Sequence, residues 1–443
     1  MLQTIKQMQH RQVWRLAGPM ILSNLSVALL GLVDTAVIGH LEHAWYLGAV
    51  ALGAVIFDFI YWGMGFLRMG TTGLAAQAHG QDDADKMRNT LGQALLVAGL
   101  IASVLLVIQG PLISIGLYLL DGSIETTTYA RQYFDIRIWS APAVLCSMAM
   151  MGWLLGMQNV RVALIIGVTM NLINIVLDLV FVVLLEMDVR GVAWASLIAE
   201  YSGLFIAIYF IRIELRSHRG HWQWQQVLDL VAIKRMLVLN HDLFIRTMCL
   251  IFVFAFFARQ VAQQSDVILA ANALLLNFHL LMALGLDGFA NALEALVGRA
   301  IGKKSVDYFK QVVEVGAIWS LFTAVGFTLI YLLAGEFMIR QLTDIESVRS
   351  TAIIYLPWMQ LSPLISVWSF LLDGIFIGAT RGREMRNSML IASFLVFLPG
   401  WYLLQGYGNN GLWLAFMLFM VVRASTLGFD YFKLVKRGSF FEA

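Results

Sequence analysis

Long apolar stretches alternate along the chain with short segments that hold most of its charge. Twelve stretches can be drawn, over 14–39, 46–78, 90–109, 126–156, 162–185, 191–212, 236–258, 267–298, 311–334, 350–379, 388–405 and 411–432. A bilayer core is spanned by ~20 apolar residues in a helix. Backbone groups at that depth must satisfy one another, which a helix does within itself. The pattern therefore predicts an all-α polytopic membrane protein with twelve transmembrane helices. Several stretches are longer than a span needs, which implies tilt or ends that reach past the hydrocarbon.

Composition agrees. Hydrophobic residues make up 60% and charged residues 13%, with mean hydropathy +0.76. A soluble domain could not hide so much apolar surface. The 443 residues match twelve spans with short loops and leave no room for a separate soluble domain. A net charge of +2 gives no reason to expect a nucleic-acid partner. Cys146 and Cys249 both fall in apolar stretches and read as buried free thiols rather than a disulfide framework. No cleavable signal pattern precedes the first span. Lys and Arg set the orientation. The N-terminus, alternate loops and the C-terminus hold 21 of them and the opposite loops hold 4, so both termini are expected in the cytoplasm.

The chain also resembles itself at an offset of 222 residues. Tyr133 matches Tyr355, Ser140 matches Ser362, Gly152 matches Gly374, Gly156 matches Gly378 and Arg161 matches Arg383. Six spans return a chain to its starting side, so the copies are parallel repeats about an axis along the membrane normal, a transporter architecture. The expected units are an N-terminal six-helix lobe (1–212), a cytoplasmic linker (213–235) and a C-terminal six-helix lobe (236–443). The linker is basic and carries Trp222 and Trp224. Its second half reads as an amphipathic helix on the inner membrane surface, or as a mobile connection.

Polar groups inside spans are costly, and they mark function. Asp34 lies deep in the first span with no basic residue near it in sequence. A carboxylate so placed favours its neutral form and can take up and release a proton. Pro19, in the same helix, removes a backbone hydrogen bond and is expected to bend it. A static kink with Asp34 hydrogen-bonded to a neighbouring helix is the plainer alternative. In the fifth span Asn171, Asn174 and Asp178 share one face, and in the sixth Ser196 and Glu200 share another. Asp34, Asp178, Asn174 and Ser196 together could form a polar pocket that holds a proton network or a sodium ion. The second half has Asp242, Arg246, Asp287, Glu294 and Asp373, with Arg246 expected to pair with Asp373 or Asp287. Asp58, Arg68, Asp135 and Arg137 read as nearer the ends of their spans.

No catalytic motif appears: no HExxH, no P-loop and no nucleophile elbow. The chain does not read as an enzyme, no cofactor is expected, and energy must come from an ion gradient.

Two first-helix segments, Trp14-Arg-Leu-Ala-Gly-Pro19 and Leu29-Leu-Gly-Leu-Val-Asp34, resemble the first helix of multidrug and toxic compound extrusion (MATE) transporters. Asn171-Leu-Ile-Asn174-Ile-Val-Leu-Asp178 resembles their fifth. Leu372-Asp-Gly-Ile-Phe-Ile-Gly-Ala-Thr-Arg381 resembles the DNA-damage-inducible F branch. The resemblance implies a V of two six-helix lobes exporting amphiphilic or cationic organic compounds against a proton or sodium gradient. It makes Pro19 the bend and Asp34 the coupling carboxylate, with Asn174, Asp178 and Ser196 around it. Some relatives hold sodium in the second lobe through a seventh-helix glutamate and a tenth-helix aspartate. Here Arg246 stands in the seventh helix, which favours coupling through the first lobe. A monomer in the bacterial cytoplasmic membrane is expected. The rival reading is a flippase for lipid-linked precursors, which would want more cations than Arg246.

Overall fold

The computed structural model describes residues 9–25, 44–120 and 122–441. Among them every regular element is helical. The helices are α1 (9–25), α2 (Ala44–Gly63), α3 (Phe66–Gly80), α4 (Ala84–Val107), α5 (Gln109–Leu120), α6 (Ile124–Arg137), α7 (Ala141–Gly156), α8 (Val160–Asp178), α9 (Asp188–Ser217), α10 (Trp224–Val227), α11 (Leu230–Ala262), α12 (Asp266–Gly302), α13 (Val306–Leu342), α14 (Glu346–Gly378), α15 (Gly382–Leu390), α16 (Leu398–Leu404) and α17 (Gly408–Arg437). Ten described stretches are long and apolar enough to cross a membrane. One of them, Gly382–Arg437, has 56 residues. At 1.5 Å per residue a helix of that length reaches roughly 84 Å, far more than one crossing needs. A 3₁₀ turn at Gln405–Tyr407 divides it, followed by Gly408 at a left-handed φ of +55°. The outward side chains are apolar: Leu333 is 87% and Val107 82% exposed. Only lipid accommodates such a surface. The short α5 falls where the sequence predicted a loop; its twelve residues are too few to span.

By contacts the chain divides into two units. The described residues of Leu22–Asn240 form one, and those of Met1–Ile21 and His241–Ala443 the other. In the first, α3 packs on α7, α7 on α4, α2 on α6 and α8 on α9. In the second, α14 packs on α12, α13 and α17, around an aromatic core in which the Phe257 ring lies 4.7 Å from that of Trp413. The described start of α1 belongs here. Trp14 packs on Phe289 and Trp319, and the Trp319 indole donates to His10 Nδ1 at 3.0 Å.

The 222-residue repeat recurs in backbone detail. Asp83 caps α4 and Ser305 caps α13, each side chain accepting from the N–H three residues on. The residue before each cap, Asp82 and Lys304, has positive φ (56° and 52°). The next turn does the same at Gln158 (61°) and Thr380 (55°). Helix packing also repeats. A Cβ at Gly152 would lie 2.3 Å from the Arg68 carbonyl oxygen, and one at Gly374 would lie 2.5 Å from that of Ala290. Both contacts let backbones meet where any side chain would push them apart.

The linker is neither a free strap nor one amphipathic helix. Arg88 donates to the carbonyls of Leu215 and His218, both at 2.6 Å. Asp85 accepts from the His221 N–H (2.6 Å) and the Gln223 amide (2.7 Å), and Asn89 donates to Gln226 (2.8 Å). Between the end of α9 at Ser217 and the start of α11 at Leu230, these polar groups at the start of α4 leave only the single turn α10 helical, while Trp222 and Trp224 stack on one another and stay exposed.

Orientation has a direct test. In a background without Cys146 and Cys249, cysteines replacing the exposed Ser123 and Tyr407 should react with an impermeant maleimide from outside, and one replacing Ser217 only after permeabilisation. Labelling of Ser217→Cys in intact cells reverses the topology.

Candidate functional site

α8 presents the polar face expected from its spacing. Asn171, Asn174 and Asp178 are buried, Asp178 to 1% exposure, whereas Leu172 and Val176 on the opposite side are each 57% exposed. Residues three and four apart stack on one face of a helix, so a single rotation buries all three. Asn174 is the hinge of the set. With its amide oriented to satisfy both ends, it donates to Asp178 Oδ2 at 3.3 Å and accepts from the Ser196 backbone N–H at 3.3 Å. The Ser196 hydroxyl lies 3.5 Å from the same amide. The structure thus brings together Asp178, Asn174 and Ser196. Such a chain of amide, hydroxyl and carboxylate can pass or hold a proton, and its oxygens are hard donors suited to a small cation. Asp34 lies outside the described residues. Pro19 lies within α1.

The second unit collects its charges differently. Arg246 of α11 pairs with Asp373 of α14, one of its two expected partners. Arg423 of α17 donates to the same carboxylate oxygen, and all three residues are buried. Asp287 of α12 stands within electrostatic reach of Arg423. Glu294 is buried on α12, where its carbonyl meets the Gly378 backbone. Asp242 is held by Arg386 at 2.6 Å rather than by Arg246. The amino-acid sequence did not single out Arg423 as a partner of this cluster. The signal that could have found it is its setting in Met417-Leu-Phe-Met-Val-Val-Arg423: an arginine in hydrocarbon requires an acid.

Comparison with known proteins shows what the chain as a whole is similar to. The MatE family model matches residues 19–180 and again 243–403, two stretches spaced close to the repeat interval. DNA damage-inducible protein F of Escherichia coli (strain K12) is 39% identical over 438 residues, covering 98% of this chain and 94% of that protein. Multidrug resistance protein NorM of Vibrio cholerae is 24% identical, covering 94% and 93%. Among solved structures, the Vibrio cholerae MATE transporter VcmN in the bent form superposes with a TM-score of 0.88 at 19% identity, covering 99% of each chain.

Proposed function

This chain belongs to the MatE family, a family of membrane transporters, and from that premise we propose that it is a secondary antiporter exporting amphiphilic and cationic organic compounds in exchange for protons across a bacterial cytoplasmic membrane. The observation that carries the reading is the contrast between the two lobes. In the second, Asp373 is engaged by two guanidiniums, so its charge is spent inside the protein. In the first, Asp178 is linked through Asn174 to Ser196, an acid–amide–hydroxyl face. Exchangeable charge therefore falls to the first lobe, to Asp34 with Asp178, Asn174 and Ser196.

Coupling needs no more than competition. An ionised Asp34 attracts an organic cation, and a neutral one does not, so proton entry shifts the protein toward a state that releases substrate. Pro19 is the proposed bend through which the first helix responds. Sodium at Asp34, Asn174, Asp178 and Ser196 is the alternative coupling ion, since the same oxygens suit either.

A flippase for lipid-linked precursors gains one point from the structure, because Arg423 joins Arg246 as a second cation. Both are turned onto Asp373, which leaves them occupied rather than offered to a pyrophosphate.

The test is transport of ethidium by proteoliposomes under separately imposed gradients. A proton gradient should drive it and a sodium gradient of equal size should not. Transport driven by sodium alone assigns coupling to that ion, and no transport under either gradient overturns the antiport reading.

A further inference from the structure

Three span ends meet at the linker: α9 stops at Ser217, α11 starts at Leu230 and α4 starts at Ala84. Arg88, Asp85 and Asn89 bind the segment between α9 and α11 to α4, so it lies where the spans leave the hydrocarbon. Its inner side is fitted closely to α4. A Cβ at Gly220 would lie 2.7 Å from Asp85 Oδ1. One at Gly92 would lie 3.0 Å from Val227 and 3.3 Å from the Trp222 ring. Val227 is fully buried in that notch. Trp222 rests on α4 by one edge, and Trp224 stacks on it with ring centres 6.2 Å apart.

The outer side combines two kinds of group. Trp224 is 66% exposed, and the exposed Leu228, Leu230 and Val231 follow it into the start of α11, Leu230 at 79%. Exposed apolar side chains continue along α11 at Leu237 and Val238 and along α4 at Leu96 and Leu100, a surface that only lipid accommodates. Arg212 and Arg216 lie in the last turns of α9, Arg219 just beyond it, and Lys234 and Arg235 in the first turns of α11; all five are exposed. Among the described residues none of the five enters an ion pair. The acids nearby are engaged by other groups. Glu214 accepts from the Asn159 amide at 2.6 Å, Asp229 from the Val231 N–H at 3.0 Å, and Asp85 from His221 and Gln223. Positive charge therefore stands uncancelled beside indole and apolar groups.

We propose that this outer side of the linker is a recognition surface for anionic phospholipid. The indoles of Trp222 and Trp224 seat at the headgroup level, where an amphipathic ring is favoured. The five bases attract the lipid phosphates, as basic segments beside spans do. The exposed leucines and valine next to them favour a lipid over a soluble phosphate, because only the lipid brings hydrocarbon. The surface is independent of the antiport reading and of the coupling ion. It holds the connection between the two repeats from both sides, by α4 within the protein and by the leaflet outside it.

The test is quenching of tryptophan fluorescence in the full-length protein, in bilayers of phosphatidylcholine and phosphatidylglycerol with bromine carried on one lipid or the other at equal share. The signal that disappears in the double variant Trp222→Phe, Trp224→Phe belongs to the pair. Brominated phosphatidylglycerol should quench this signal more than brominated phosphatidylcholine does. Two further variants keep the indoles and remove charge: Arg212→Gln with Arg216→Gln and Arg219→Gln, and Lys234→Gln with Arg235→Gln. Each should lower the excess, and the two combined should bring it down to the phosphatidylcholine level. Inorganic phosphate, at matched ionic strength, should leave the excess in place. Equal quenching by the two lipids, or an excess that both charge variants retain, overturns the proposal. So does loss of the excess to inorganic phosphate, which assigns the bases to a soluble anion. A pair that neither brominated lipid quenches faces water or another protein, and that result also overturns it.

Discussion

Asp34→Asn should reach the membrane in normal amounts and lose proton-driven export down to the leak of empty liposomes. The substitution keeps size and hydrogen-bonding capacity but fixes the neutral form, so no proton can be exchanged for a cation. Asp178→Asn should weaken coupling less completely. Its amide still meets Asn174, which already bonds both Asp178 and the Ser196 backbone. In the proposed mechanism Asp34 and Asp178 belong to one network and share their titration, so losing either is expected to change the behaviour of both. The measurement is ethidium efflux by each purified variant under an imposed pH gradient, with equilibrium binding recorded alongside. Parental efflux by Asp34→Asn removes that residue from the mechanism.

The second large effect is on stability. Asp373 accepts from Arg246 and Arg423 inside the second unit. Asp373→Asn leaves two buried guanidiniums facing each other, and breaking a buried pair in this way costs about 3–5 kcal/mol. Arg246→Met alone should cost less, because Arg423 still neutralises the carboxylate. Replacing all three by apolar residues, Arg246→Met, Arg423→Met and Asp373→Leu, should recover part of the loss, since the paired charges leave together. Thermal unfolding in detergent reads all of these. Losses that simply add across the three single variants show that the residues do not act as one cluster.

The polar face of α8 was legible because helical geometry is local. Residues 171, 174 and 178 share a side whatever surrounds the helix, and hydrocarbon forces that side inward. The repeat was legible for a related reason. Its signals, among them the close-packed Gly152 and Gly374, are single residues whose roles follow from backbone geometry, whereas the matched caps Asp83 and Ser305, which differ in residue type, emerged only from the structure. Partner choice was legible only in part. Arg246 had to find an acid, and the sequence narrowed the field to Asp373 or Asp287. It did not reveal that Arg423, arriving from α17, shares the same oxygen. Arg137 was misjudged because its depth was estimated from distance to the span's end, whereas its guanidinium packs over the rings of Phe57 and Tyr133. The tertiary packing of α2, α6 and α9 instead folds that end into the lobe.

The amino-acid sequence by itself predicted a polytopic membrane chain of twelve apolar stretches with an internal repeat, whose regular elements are helical throughout the described residues, with its acids and amides confined to a few helix faces. Those properties depend on hydropathy and on spacings of three, four and 222, which are carried in one dimension. The tertiary structure alone decided which helix supplies each counter-charge. It also grouped the described start of the chain, to Ile21, with His241–Ala443, and pinned the linker to the start of α4. Those outcomes turn on contacts between residues 50 or more positions apart. A charge in a low-dielectric lobe is stabilised by whichever opposite charge the packing brings near, and sequence distance carries no record of that.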